Sequence, residues 1–281
     1  MTLPVSGEIS LNQVNVELGI AGTTTISLNQ SNLRTLFGVG SGAITMSNGH
    51  GKANAFGFAV ASNVTNANLR TLAVNAGWNG TSALTCTLNS GIYFISSAVG
   101  TAGLTINGSF PNGVTFVNNG IVVGDHGNGG GGAAWSGSGG GGGTGGLALL
   151  IQSAVSIQNN GTIAGGGGGG GGGGSARGTN SNGDSYFPQT GGSGGRGKSV
   201  SGPLGGSAGT SQTQGKTTFR GGTGGTGGQW GASGGGGGSG VGNSAGGGGR
   251  PGGGGGGGGA ATSGQSNVTW LATGARYGSL G

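Results

Sequence analysis

The chain has 281 residues, 84 of them glycine, with charged residues at 5% and hydrophobic ones at 31%. That balance excludes an ordinary globular composition and favours two or three small units over one large core. Ten Lys/Arg face four acids for a formal charge of +6. The scarcity of acids and histidines argues against an enzyme, and the single cysteine, Cys86, excludes an intrachain disulfide or a cysteine-built zinc site. No cofactor is implied.

The residues from Met1 to Gly19 show neither a basic start nor a continuous apolar stretch, so no secretory signal is expected. The apolar run Leu147 to Ile151 is too short to span a bilayer, so no membrane insertion is expected either. Ile9-Ser10-Leu11-Asn12-Gln13 recurs as Ile26-Ser27-Leu28-Asn29-Gln30. Both copies have the S-x-x-Q spacing of a capping box, predicting two short helices. Leu11, Val14 and Leu18 give one apolar face, and Leu33, Leu36 and Phe37 the other. Gly19 and Gly38 are the expected stops. Asn68-Leu69-Arg70-Thr71-Leu72 repeats Asn32 to Leu36. Helices this short must dock on one another or on a partner.

From Trp78 onward the pattern turns to short β-like runs, at Leu84 to Leu88, Ile92 to Ile95, Leu104 to Ile106, Val114 to Val117 and Ile121 to Val123. Separated by Asn, Gly and Pro, they predict a small antiparallel β unit. The stretch Val114 to Gly124 is echoed by Val155 to Gly165, each with an Asn-Asn-Gly step that reads as a tight turn. The boundary with the glycine-rich part falls near Gly127. The expected domains are an N-terminal helical repeat over 1–58, a β-rich domain over 59–126, and a glycine-rich domain over 127–281.

Collagen does not fit the glycine-rich part, because runs such as Gly165 to Gly174 are uninterrupted and the chain has only five prolines. Disorder would be the usual reading of such a tract. Against it, nearly pure glycine blocks recur and lead to an apolar ending, Val268-Thr269-Trp270-Leu271. The ordered alternative is the extended left-handed helix with three residues per turn, packed against its neighbours by backbone bonds worth about 1 kcal/mol each. In Gly221 to Gly228 and Gly191 to Gly197 the non-glycine residues recur every third position and would line one edge. The expected fold class is mixed: short N-terminal helices, a small antiparallel β unit and a C-terminal bundle of packed polyglycine II helices.

Asn68 to Gly80, Val114 to Gly132 and the ending Trp270 to Gly278 resemble the glycine-rich tail-fibre and host-attachment proteins of tailed phages. They are similar to the polyglycine-sandwich adhesins at the tips of T-even-type long tail fibres. The resemblance implies a virion tail protein, a receptor-binding adhesin whose loops reach the bacterial host surface. A purely structural tail or decoration protein is the alternative, and an ice-binding protein a more distant one. The implied partners are an outer-membrane protein or lipopolysaccharide, and other phage tail proteins through the N-terminal region.

The basic residues after Asp184 (Arg196, Lys198, Lys216, Arg220, Arg250 and Arg276) stand in an acid-free tail that favours an anionic partner. They are scattered among glycines, which does not suit nucleic acid. Candidate receptor-binding residues lie between the glycine blocks: Arg177, Tyr186 and Phe187 in 175–190, Lys216, Phe219 and Arg220 in 198–220, and Trp230 in a short loop. The aromatics among them could instead seal the bundle. Gly192 to Ser199 matches a phosphate-loop pattern, but prolines and glycines on both sides leave no strand before it or helix after it. Gly242-Asn-Ser244-Ala-Gly246 mimics a nucleophile elbow with as little support. Asp125-His126 reads as a surface turn, because neighbours on an extended chain point to opposite sides.

Overall fold

The structure is a computed structural model and describes residues 3–135, 137–178, 189–214, 217–242 and 248–281. Its first part is a small helical unit. Helix α1 (Leu11–Glu17) starts in a capping box between Ser10 and Gln13. Helix α2 (Ser31–Phe37) has Gln30 at its N-cap with no side-chain bond, so the second expected box does not form; the Ser27 hydroxyl accepts from the Asn29 amide instead. Gly19 and Gly38 follow the helices with φ of 73° and 71°, the left-handed geometry that glycine supplies cheaply. Leu3, Val14, Leu33, Leu36 and Phe37 form a buried cluster of their own. The helices therefore dock on one another.

From residue 55 the chain winds into rungs of parallel β-strands. The first rung is β1 (Ala55–Val60), β2 (Val64–Thr65) and β3 (Ala67–Asn68). Helix α3 (Leu69–Asn75), with Asn68 as its N-cap, leads to the second rung, β4 (Ala83–Leu88), β5 (Tyr93–Ile95) and β6 (Leu104–Ile106). The third is β7 (Val114–Asn118), β8 (Ile121–Val123) and β9 (Leu149–Ile151). The fourth is β10 (Val155–Asn159) and β11 (Thr162–Ala164), completed after the hairpin β12 (Ser211–Gln214) and β13 (Thr217–Arg220) by β14 (Thr262–Ser263). β15 (Val268–Ala272) and β16 (Ala275–Tyr277) end the coil. Stacking gives sheets β1-β4-β7-β10-β15, β16-β11-β8-β5-β2 and β14-β9-β6-β3.

The expected fold class is overturned here. Every pairing in these sheets is parallel, and antiparallel pairing among the described residues is confined to β12–β13 and isolated bridges. After α3 the only helical element among the described residues is the 3-10 turn Gln265–Asn267, so there is no C-terminal helical bundle. The cause is the partner each strand finds. The two copies of Asn-Asn-Gly do not close hairpins; they turn the chain from the first sheet to the second, so copy stacks on copy. Thr115 pairs with Ser156, Phe116 with Ile157 and Val117 with Gln158.

Alternation along each strand then fills one core. Leu84, Cys86 and Leu88 point inward from β4, Val114 and Phe116 from β7, and Val155 and Ile157 from β10. Phe94, Val122 and Ile163 close it from the second sheet, and Leu104, Ile106, Leu149 and Ile151 from the third. The turns between the first and second sheets carry a buried ladder. The Asn118 Nδ2 donates to Asn159 Oδ1 at 2.7 Å, and Asn159 Nδ2 donates to the Thr273 carbonyl at 2.7 Å.

Desolvation in this core pushes the Cys86 thiol up to about 12. The folded state holds the neutral thiol, so that contribution is complete at neutral pH and is lost only as pH rises above the unfolded value of about 8.5. The native chain at pH 8 should resist a disulfide-exchange reagent and react fully once unfolded in guanidinium. Modification at the free-thiol rate without denaturant would contradict the buried position.

Candidate functional site

Both glycine-rich excursions leave the coil at the same corner, between the second and third sheets: one joins β8 to β9, the other β11 to β14. The strand bonding runs straight into them. Ala164 accepts from Gly124, and the series continues at every third residue with Gly127 to Gly167, Gly130 to Gly170 and Ala133 to Gly173. Runs 124–132, 165–174, 204–210 and 233–240 lead away from the coil, and 139–146, 191–197, 221–228 and 252–259 lead back.

The run 165–174 lies at the centre and is buried along its whole length. Its amides donate in rotation to separate neighbours: Gly169 to Gly143, Gly170 to Gly195 and Gly171 to Gly235. Its carbonyls accept from others, Gly167 from Gly127, Gly168 from Gly228 and Gly169 from Gly256. A Cβ at Gly166, Gly169 or Gly172 would be driven into the carbonyl oxygens of Asp125, Asn128 and Gly131. Only glycine lets the runs lie this close. The result is a slab solidified by main-chain bonds, with side chains admitted at its edges and ends.

The slab has two ends. At no more than ~3.3 Å a residue, the central run separates them by up to about 33 Å. The described residues of the far end, or tip, are 133–135, 137–138, 175–178, 189–190, 211–214, 217–220, 241–242 and 248–251. The near end carries 198–203 and 229–232.

This geometry divides the candidate residues. Arg177, Phe219 and Arg220 come together at the tip. The Arg220 backbone pairs with Val241, and Gly242 lies against the Arg177 carbonyl. Phe219 is fully buried, its ring filling the place where a Cβ on Gly178 would sit. Arg220 is exposed and Arg177 half-buried. Tyr186, Phe187 and Lys216 lie outside the described residues. Trp230 sits at the opposite end. Its indole N–H donates to the Ser199 carbonyl at 2.7 Å, the Lys198 ammonium lies 3.9 Å from its ring centre, and the Tyr277 ring is 5.8 Å away. There it clasps two base connections to the last strand.

Sequence reasoning passed over two tip residues. Trp135 is 68% exposed and Val241 52%. The visible signal for Trp135 was an aromatic breaking two glycine blocks just after Ala133-Ala134. Arg250, known from sequence only as one of the scattered basic residues, is exposed at the tip, its amide donating to the Ser175 carbonyl.

The phosphate-loop look-alike falls on run 191–197, inside the slab. Among the described residues neither the strand nor the helix that such a loop requires flanks it, and Lys198 is spent on Trp230. Positions 243–246 of the elbow look-alike lie outside the described residues. Asp125 and His126 do not point apart as expected. Asp125 Oδ1 accepts the His126 backbone amide and lies 2.8 Å from His126 Nδ1, so the pair folds on itself. Among the described residues no group of His, Cys, Asp and Glu is placed to hold a metal ion.

No curated protein matches the chain. Among solved structures, it is similar to the gp37-gp38 adhesin tip complex of the bacteriophage S16 long tail fiber. The identity is 21%, the match covers 98% of this chain and 99% of that one, and the TM-score is 0.48. The family model for the phage tail fibre adhesin Gp38 matches residues 55–281, which take in the whole coil of rungs and the whole slab. With its glycine slab and the tip that slab carries, the chain belongs to the Gp38 family of phage tail fibre adhesins.

Proposed function

We propose that this adhesin recognises the bacterial host surface with the tip of its glycine slab, by binding and without chemistry, and is held on the tail through the helical unit before residue 55. One observation carries the reading: four of the six connections between runs, the three longest among them, start and finish where the runs end farthest from the coil. A rigid scaffold that presents irregular connections at one end is suited to recognition. The exposed Arg220 and Arg250 add positive charge there, favouring an anionic outer-membrane protein loop or lipopolysaccharide. For attachment, the helical unit has a separate apolar cluster and lies outside the family match. Its partner in this reading is another phage tail protein.

The test exchanges the tip connections 175–190 and 211–220 for those of an adhesin with a different host. Adsorption should follow the donor segments. Unchanged host range after both exchanges would leave the slab as a rigid spacer.

A further inference from the structure

One tip residue is held against its own backbone preference. Trp135 has φ of +52°, a region that bulky L-residues rarely enter, and its indole stands in solvent. A turn whose only task was to reverse the chain between runs 124–132 and 139–146 would be served by glycine, which this sequence supplies on both sides. The turn is also fixed from without. Ala133 donates to the Gly173 carbonyl, Gly137 to Ala134, and the Ser175 amide and hydroxyl both donate to Gly137. Strain of this kind gathers where a side chain must be presented in one direction.

The surroundings indicate what would receive it. Among the described tip residues Trp135 is the only exposed aromatic, because Phe219 is buried. It therefore has no described companion ring to form a flat sugar platform. It projects, and a projecting indole enters a concavity that the partner supplies. Arg250, whose amide donates to the same Ser175 that holds the Trp135 turn, is exposed beside it, and Arg220 lies on the next connection. No described residue of the tip is acidic.

We infer that Trp135 is the apolar anchor of the tip, seating in an apolar pocket on a host surface protein whose acidic rim meets Arg250 and Arg220. This rests on the tip being the face that meets the host.

The experiment measures phage adsorption to host cells and thermal unfolding of the full purified chain for Trp135→Gly and Trp135→Phe. Glycine relaxes the backbone, so W135G should melt at or above the wild-type temperature while adsorption falls about tenfold or more. W135F should keep most of the adsorption. Proteinase treatment of the cells should abolish the Trp135-dependent adsorption, and periodate oxidation of surface glycans should leave it. W135G adsorbing within about twofold of wild type would overturn the anchor, as would a loss of adsorption matched by a loss of melting temperature. Sensitivity to periodate alone would overturn the protein pocket. Failure of the wild-type protein to bind host cells would instead remove the host-recognition reading beneath it.

Discussion

Gly169→Ala should lower the melting temperature by on the order of 10 °C, or leave the chain insoluble. Gly169 donates to the Gly143 carbonyl, accepts from the Gly256 amide and lies in a run buried throughout. The new methyl group would be driven into the Asn128 carbonyl oxygen. No rotamer relieves that clash, because both sides of it are backbone. Overpacking costs ~1–3 kcal/mol and a buried amide stripped of its partner another ~1–3. At about 2–4 °C per kcal/mol for a chain of this size, the shift follows. Gly131→Ala is the matched control, since nothing lies within 4 Å of its Cβ position and its φ is ordinary. It should melt within ~2 °C of wild type. Equal melting temperatures for the two variants would refute the close contact at the slab's centre.

Asn159→Ala should cost about 2–4 kcal/mol, the larger part through groups left without partners. Its amide donates to the Thr273 carbonyl at the corner between β15 and β16, and its oxygen accepts from Asn118 below. Alanine removes both bonds and leaves Asn118 Nδ2 only its bond to the Thr162 carbonyl, with a void where the carboxamide was. Asn159→Asp should fare no better, because a carboxylate has no N–H for Thr273. Asn160, one residue on, makes a similar bond to Asn119 Oδ1, but in solvent. Its alanine variant should lose no more than ~0.5 kcal/mol. Urea titration separates these outcomes, and equal losses at 159 and 160 would show that burial of the ladder is not what matters.

Much of the local structure was legible because it is written in short range. The box at Ser10 and Gln13, the stops at Gly19 and Gly38, and β-like runs within a residue or two of β4, β6, β7 and β8 all follow from neighbouring residues. Pairing sense was not legible. Asn119-Gly120 carries the same local signal whether it closes a hairpin or turns a corner. What decides is Asn118 meeting Asn159 and Gly161 lying on Gly120, contacts between rungs. The echo of Val114 to Gly124 in Val155 to Gly165 held that information, as successive rungs of one coil. At the site, the positions of loops were readable from the interruptions in glycine. The end on which each loop emerges was not, because it depends on how many runs separate them, and so Trp230 was grouped with residues at the opposite end. The bonding of glycine amides at every third position is fixed only when several runs meet, which no single run specifies.

Since the runs share one axis and are bonded sideways, traction on the tip is resisted in shear. On the proposed reading, a pull transmitted from a bound cell toward the tail must slide whole rows of amides past their acceptors together, and not open them one after another as in a zipper. Resistance of that kind grows with the number of rows, and it is set by the rate of forced rupture, not by equilibrium stability. A material almost empty of side chains thus gains strength along the one direction in which an attached virion would be hauled.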